Sequence, residues 1–147
     1  MNAENYVTLE FPSRSANEGF ARAAAACFAA QLDPTLEEIN DIKTAVSEAV
    51  TNAIVHAYPD RIGRVVMKLR RRENQVLEIV VRDWGVGIAD VEEARRPMFT
   101  TGDAQRSGMG FTIMESFMDA VKVRSRPGKG TVVTLRRKLS RRAGTVV

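Results

Sequence analysis

Hydrophobic and polar positions along this chain change their period several times, and each change marks an element. Tyr6-Val7-Thr8-Leu9-Glu10-Phe11 switches side at every residue and reads as a strand ended by Pro12. From about Ser15 to Gln31 the period becomes helical, with Phe20, Ala24, Cys27 and Phe28 on one predicted apolar stripe. A second helix opens at Asp33-Pro34-Thr35-Leu36-Glu37-Glu38, either on an Asp cap with Pro in the first turn or on a Thr35/Glu38 capping box. It runs to about His56, before Tyr58-Pro59-Asp60 breaks it, and Ile42, Val46, Ala49, Val50, Ala53 and Ile54 are its core positions. Val65, Met67 and Leu69 alternate in a following strand. Glu73-Asn74 is the predicted turn, and Val76 to Val81 is apolar enough for a central strand.

Residues 83 to 107 are rich in Gly, Pro and polar side chains, with one short helix at Asp90 to Arg95; a loop of this length is usually functional. A helix from Gly108 to about Met118 follows, then strands near Ala120 to Ser125 and Gly130 to Lys138 around a Pro127-Gly128-Lys129-Gly130 turn. The order β-α-α-β-β-loop-α-β-β predicts an α+β, two-layer sandwich: a mixed, mostly antiparallel sheet with helices on one face, not a doubly wound pattern.

Length changes the picture little: 147 residues make one domain, with a basic, frayed tail over about 139–147. At 44% hydrophobic and 27% charged, the composition is that of a globular chain able to bury a core without disulfides. No apolar run approaches a membrane span and no signal peptide is present, so no membrane association and a cytoplasmic location are expected. Cys27, the one cysteine, is expected to be a buried, inert thiol. The net charge of +4 and pI near 9.6 come from Arg70-Arg71-Arg72 at a strand end, and from Arg136-Arg137-Lys138 and Arg141-Arg142 running into the tail. Without interleaved aromatics or a nucleic-acid motif these read as a solvated face, or as a surface for an acidic protein, with no direct nucleic-acid contact.

Four features carry chemistry. Glu48 and Asn52, four apart on the second helix, project to one side. Asn supplies the neutral carbonyl oxygen that suits Mg²⁺ bound with phosphate and water, and a carboxylate beside it can deprotonate a hydroxyl. A solvent-facing stripe would produce the same pair. Asp83-Trp84-Gly85-Val86-Gly87-Ile88 follows the central strand: a buried carboxylate there suits an adenine amino group, with two glycines where backbone can approach a flat ligand. An Asp-capped glycine turn would look alike. Ser107-Gly108-Met109-Gly110-Phe111-Thr112 places side-chain-free N–H groups at a predicted helix start, a natural phosphate site. Gly128-Lys129-Gly130-Thr131 brings a hydroxyl onto a strand after a tight turn.

In this order and spacing the four resemble the nucleotide-binding boxes of the GHKL superfamily, which includes gyrase, histidine kinase and MutL-type ATPases. The similarity spans Leu36 to Leu135. Ser47 to Ala53, Pro97-Met98-Phe99-Thr100-Thr101, Arg106 to Glu115 and Asn17 to Arg22 further resemble the anti-sigma F factors of spore-forming bacteria. The general-stress, sigma B type of anti-sigma kinase is similar but has a less regular glycine box. The resemblance implies a homodimer that binds a sigma factor of the sigma F type when ATP is bound. It also implies Mg-ATP-dependent phosphorylation of an anti-anti-sigma protein on serine. Glu48 would then be the general base and Asn52 the Mg²⁺ ligand. Asp83 would read adenine beside Gly85 and Gly87, with Thr131 supporting that contact. Thr100, Thr101, Ser107, Gly108, Met109, Gly110 and Phe111 would line the nucleotide, the stretch Phe99 to Ser107 being a lid. Arg106 would neutralise the γ-phosphate, and Arg22 would meet partners. An ATP-gated binding module without phosphotransfer is a second reading, against which Glu48 argues. A detached histidine kinase domain is a third, disfavoured because His56, the only histidine, lies on the Glu48/Asn52 helix where a helix C-terminal role is expected.

Overall fold

The computed structural model describes residues 5–96 and 102–141, with backbone alone from 102 to 108. Five strands form one sheet in the order β1 (Asn5–Pro12), β2 (Arg64–Arg72), β3 (Val76–Asp83), β5 (Gly130–Lys138) and β4 (Ala120–Arg126). Every pairing is antiparallel, so the sheet is a hairpin-built layer with β3 at its centre. Helices α1 (Ala16–Ala29), α2 (Leu36–Thr51) and α4 (Gly102–Phe117) form the second layer, and the short α3 (Val91–Arg95) lies beside α4 and β4. This is the expected α+β sandwich.

Alternation decides which face is covered. Val65, Met67 and Leu69 of β2, Leu77, Ile79 and Val81 of β3, and Val133 and Leu135 of β5 share one face and are all buried. Against them pack Ala21, Ala25 and Phe28 of α1, Ile42, Val46, Ala49 and Val50 of α2, and Met114 of α4. Each fully buried Val, Leu, Ile, Met or Phe among them contributes roughly 1.5–3 kcal/mol of hydrophobic stabilisation. The opposite face presents Arg64, Lys68, Arg70 and Arg72 from β2, Arg82 from β3, Lys122, Arg124 and Arg126 from β4, and Arg136 and Lys138 from β5. Only Glu10 and Glu78 oppose them there.

Local chemistry explains the element ends. Thr35 accepts the Glu38 N–H at 3.1 Å while the Glu38 carboxylate accepts the Thr35 N–H at 2.9 Å, so the capping box starts α2, a device worth about 1 kcal/mol. Asn74 takes a left-handed conformation (φ 65°) in the β2–β3 turn, where Asn is well tolerated.

Several expectations need correction. Cys27 is exposed, and so is Phe20 (62%). The face of α1 that reaches the core is Ala21, Ala25, Phe28 and Ala29, because alanines let α1 approach α2 closely where a phenylalanine would hold it off. Arg136, Arg137 and Lys138 end β5 at the expected place, and Arg136 and Arg137 are both paired. Leu139 and Ser140 do not belong to a frayed tail. Leu139 is buried and its N–H donates to the Gln75 carbonyl, and Ser140 is tied to Glu38; residues 142–147 lie outside the described residues. Finally, α4 begins at Gly102 rather than Gly108, so the described part of the expected lid is helical.

Candidate functional site

Two local irregularities shape the region between α2, α4 and the β3 end. At Asn52 the α2 helix passes into a π turn, Asn52–His56, in which the Ala57 N–H donates to the Asn52 carbonyl at 3.0 Å. Such wide turns are uncommon and concentrate at functional sites. The turn leaves the Ala57 carbonyl free to accept the Val86 N–H at 2.9 Å, which fastens the end of the helix to the loop that follows β3. Gly85 makes that contact possible, since a Cβ there would run into the Ala57 carbonyl. Gly87 (φ 79°) packs the same loop against the Arg126 carbonyl, and Gly128 N–H donates to the Val86 carbonyl at 2.7 Å. The close approaches that these two glycines permit are therefore to the protein's own backbone. Gly87, but not Gly85, borders the cavity that results.

That cavity, of about 230 Å³, is walled by Ala49, Ala53, Val81, Ile88, Phe111 and Val133, with Asp83 and Thr131 as polar groups and Asn52 and His56 also lining it. Flat apolar walls with one carboxylate at the base suit a heteroaromatic ring that carries a hydrogen-bond donor. Asp83 is buried, its Oδ1 accepting the Gly85 N–H at 2.9 Å. Burial pushes its carboxyl above the ordinary aspartate range, against the pull of the Gly85 and Thr131 backbone N–H groups. Asp83 and Thr131 face each other in the β3–β5 register, and the Thr131 backbone N–H donates to the carboxylate. Its hydroxyl is engaged elsewhere, sharing a 2.7 Å hydrogen bond with Ser125.

Glu48 and Asn52 meet α4 at Gly110. A Cβ on Gly110 would lie 3.4 Å from the Asn52 amide nitrogen and 3.5 Å from both the Asn52 Oδ1 and the Glu48 Oε1. The missing side chain leaves room where an amide oxygen and a carboxylate converge. Burial, and then the charge of Glu18, push the Glu48 carboxyl above the ordinary glutamate range. No three acidic, histidine or cysteine side chains cluster among the described residues. A donor set of one neutral oxygen beside open space fits Mg²⁺ held mainly by phosphate and water rather than a protein-only cage.

The remaining expected residues divide into three groups. Phe111 is buried on the cavity wall and Met109 is half-buried on α4. Gly108 and Gly110 lie inside α4, so their N–H groups are in the helical ladder rather than at a helix start. The side chains of Arg106 and Ser107, and all of Thr100 and Thr101, lie outside the described residues. His56 closes the π turn at the cavity edge. Arg22 is half-buried on α1, 3.5 Å from Glu18, and shares a groove with Ser47 and Glu48.

Residues 11–137 match the histidine kinase-like ATPase domain family. The anti-sigma F factor of Caldanaerobacter subterraneus subsp. tengcongensis is 53% identical over 142 residues, which is 96% of this chain and 99% of that protein. The anti-sigma F factor of Pasteuria penetrans is 56% identical over 137 residues, 92% of this chain and 91% of that one. This chain belongs to the anti-sigma F factor family. It is thus an ATPase-type nucleotide-binding domain with the anti-sigma lineage expected from its motifs. Among solved structures, the RsbU and RsbW domains of a Mycobacterium tuberculosis protein align over 93% of this chain and 32% of that one, with a TM-score of 0.67 at 20% identity. The mycobacterial sensor histidine kinase MprB aligns over 90% of this chain and all of that one, at 0.52 and 16%. At these identities the likeness is one of fold.

Two contributors to the site escaped the sequence reading. Glu18 accepts a 2.6 Å hydrogen bond from the Ser47 hydroxyl and raises the proton affinity of Glu48 from the neighbouring helix. Its only signal was the four-residue spacing to Arg22. Ser125 Oγ accepts the Ile88 N–H at 2.7 Å and joins Thr131, bracing the cavity floor. The tight turn at Pro127 to Gly130 would have placed Ser125 opposite Thr131 had the hairpin register been written out.

Proposed function

We propose that this chain is a protein-serine kinase and anti-sigma switch. In the cytoplasm, as a homodimer, it would bind a sigma factor of the sigma F type and, using Mg-ATP, phosphorylate an anti-anti-sigma protein on serine. The observation that carries the reading is the convergence of Glu48 and Asn52 on side-chain-free Gly110, at the edge of a cavity with Asp83 at its base. Adenine sits between the apolar walls and donates its amino group to Asp83. Asn52 would hold a magnesium ion, which would supply neutralisation of phosphate charge when bound. Glu48 takes the proton of the partner's serine hydroxyl as that oxygen bonds to the γ-phosphorus and the bond to the ADP oxygen breaks. A carboxyl whose proton affinity is raised by burial and a neighbouring carboxylate is the stronger base for this step.

Arg106 is assigned to the γ-phosphate, and Thr100, Thr101 and Ser107 to the stretch over the nucleotide. Arg22, in the groove with Glu48, is assigned to partner docking, which brings the acceptor serine to the base. The high identity to anti-sigma F factors favours the sigma F type over the general-stress type. A purely ATP-gated binding module is the second reading, and the half-buried carboxylate at position 48 counts against it because binding alone needs no base.

Incubation with γ-labelled ATP and the anti-anti-sigma protein, followed by mapping of the labelled residue, tests the reading. Label on a serine of the partner is expected. No transfer, with ATP bound, would leave the gated module standing, and label on His56 of this chain would overturn the serine assignment.

A further inference from the structure

The open face of the sheet is strongly cationic. Its strands carry ten lysines and arginines against two carboxylates, although the whole chain nets only +4, so the other surfaces are net negative. Three of the arginines are spent on Glu78, and Glu10 pairs with Arg64 at 3.0 Å. Lys68, Arg82, Lys122, Arg124, Arg126 and Lys138 remain exposed. Beneath them runs an apolar centre of Val66, buried at 8%, and the half-buried Val80 and Val132. Helices α1, α2 and α4 all bury against the other face, and none of them covers this one.

We infer that this face is a docking surface for an acidic protein segment, separate from the groove at Arg22. An apolar centre inside a charged rim is the anatomy of a protein interface. Five strands about 4.8 Å apart and some eight residues long present roughly 24 by 25 Å, close to the ~800 Å² per partner of a standard interface once side chains are counted. A second copy of this chain does not fit face to face, because the two cationic faces would repel. Single-stranded nucleic acid fits poorly, since base stacking needs free aromatic faces. The Trp84 ring is occupied by Arg64 at 4.4 Å and Arg82 at 4.7 Å, and Tyr6 stands alone at the edge. A lipid surface would find no apolar side chain projecting from the centre, because the valines are recessed.

Trp84, the only tryptophan, reports on this face. Its fluorescence is followed while the full chain is titrated with poly-L-glutamate, with a duplex DNA, and with phosphatidylserine-containing vesicles. The test variant is Lys68→Glu/Lys122→Glu, since neither lysine is in an ion pair among the described residues. The control, Arg14→Glu/Arg96→Glu, makes the same change in net charge on exposed residues off the face. Poly-L-glutamate is expected to bind most tightly, weakening about tenfold or more in the face variant and less than about twofold in the control. Equal weakening in both variants, no binding, or a preference for DNA or vesicles would overturn the proposal. Circular dichroism of each variant shows that loss of binding is not loss of fold.

Discussion

Strand β3 carries two buried carboxylates on opposite faces, and the protein treats them in opposite ways. Glu78 points to the open face, where Arg70, Arg72 and Arg136 reach it at 3.2, 2.9 and 2.7 Å. Its burial would raise its proton affinity, but the hydrogen bonds and charges of Arg136 and Arg72 outweigh that and hold it below the ordinary range. Asp83, five residues on and facing the helices, has only two backbone N–H groups against its burial, and its proton affinity is raised. Glu48 is likewise raised by burial and by a like charge. A carboxylate fully partnered by the protein holds the fold together. One left short of partners is held ready for something that is not part of the chain.

Mutating each residue should separate these roles. The largest effect on stability is expected at Glu78. Glu78→Gln leaves three arginines around a neutral amide and should cost about 2–3 kcal/mol, at the low end for breaking a buried pair because the arginines are partly exposed. Urea unfolding measures this, and ATP affinity should not change. A loss of ATP binding with stability intact would erase the contrast.

Asp83→Asn should do the reverse. ATP affinity should fall by about 10- to 100-fold, the effect of mispairing one buried hydrogen bond, while the unliganded protein is no less stable. Isothermal titration and thermal unfolding in parallel check both halves. The pH dependence follows from the two directions. Because the folded value of Glu78 lies below its unfolded one, its stabilisation is complete above the ordinary glutamate range near ~4.3 and is lost as pH falls through the folded value. Asp83 has its folded value above the unfolded one, so its ionised form opposes folding. The stability gained by Asp83→Asn should therefore grow as pH rises through the raised value and vanish below ~3.9.

Ser125→Ala is the smallest perturbation. It removes a hydroxyl that braces Thr131 and accepts the Ile88 N–H, so a loss of about 1 kcal/mol is expected, shared between stability and ATP affinity. An effect on neither would show that the cavity floor does not depend on it.

What was legible in the sequence follows the same division. The capping box at Thr35 and the Val65/Met67/Leu69 alternation are local patterns, and both stand where they were read; the Ser107 to Thr112 box does not, since it lies inside α4 rather than at a helix start. Contacts between distant segments were not legible. Nothing local says that Arg136 and Arg72 converge on Glu78, that Gly85 and Gly87 yield to the Ala57 and Arg126 carbonyls, or that α1 turns its alanines inward and Phe20 outward. The helical backbone over Gly102 to Ser107 also went unread, because polar residues without periodicity carry no signal of their own. Asn52 was identified by its type, but the π turn beginning there depends on the loop that packs against it.

The account rests most heavily on Glu48 as a base on an ATP site. The direct test is Glu48→Gln, with Mg-ATP affinity and single-turnover transfer of the γ-phosphate to the anti-anti-sigma protein measured on one preparation. Transfer reduced by several orders of magnitude, with ATP affinity within about threefold of the parent, is the expected result. Transfer at near the parent rate with ATP bound would contradict it.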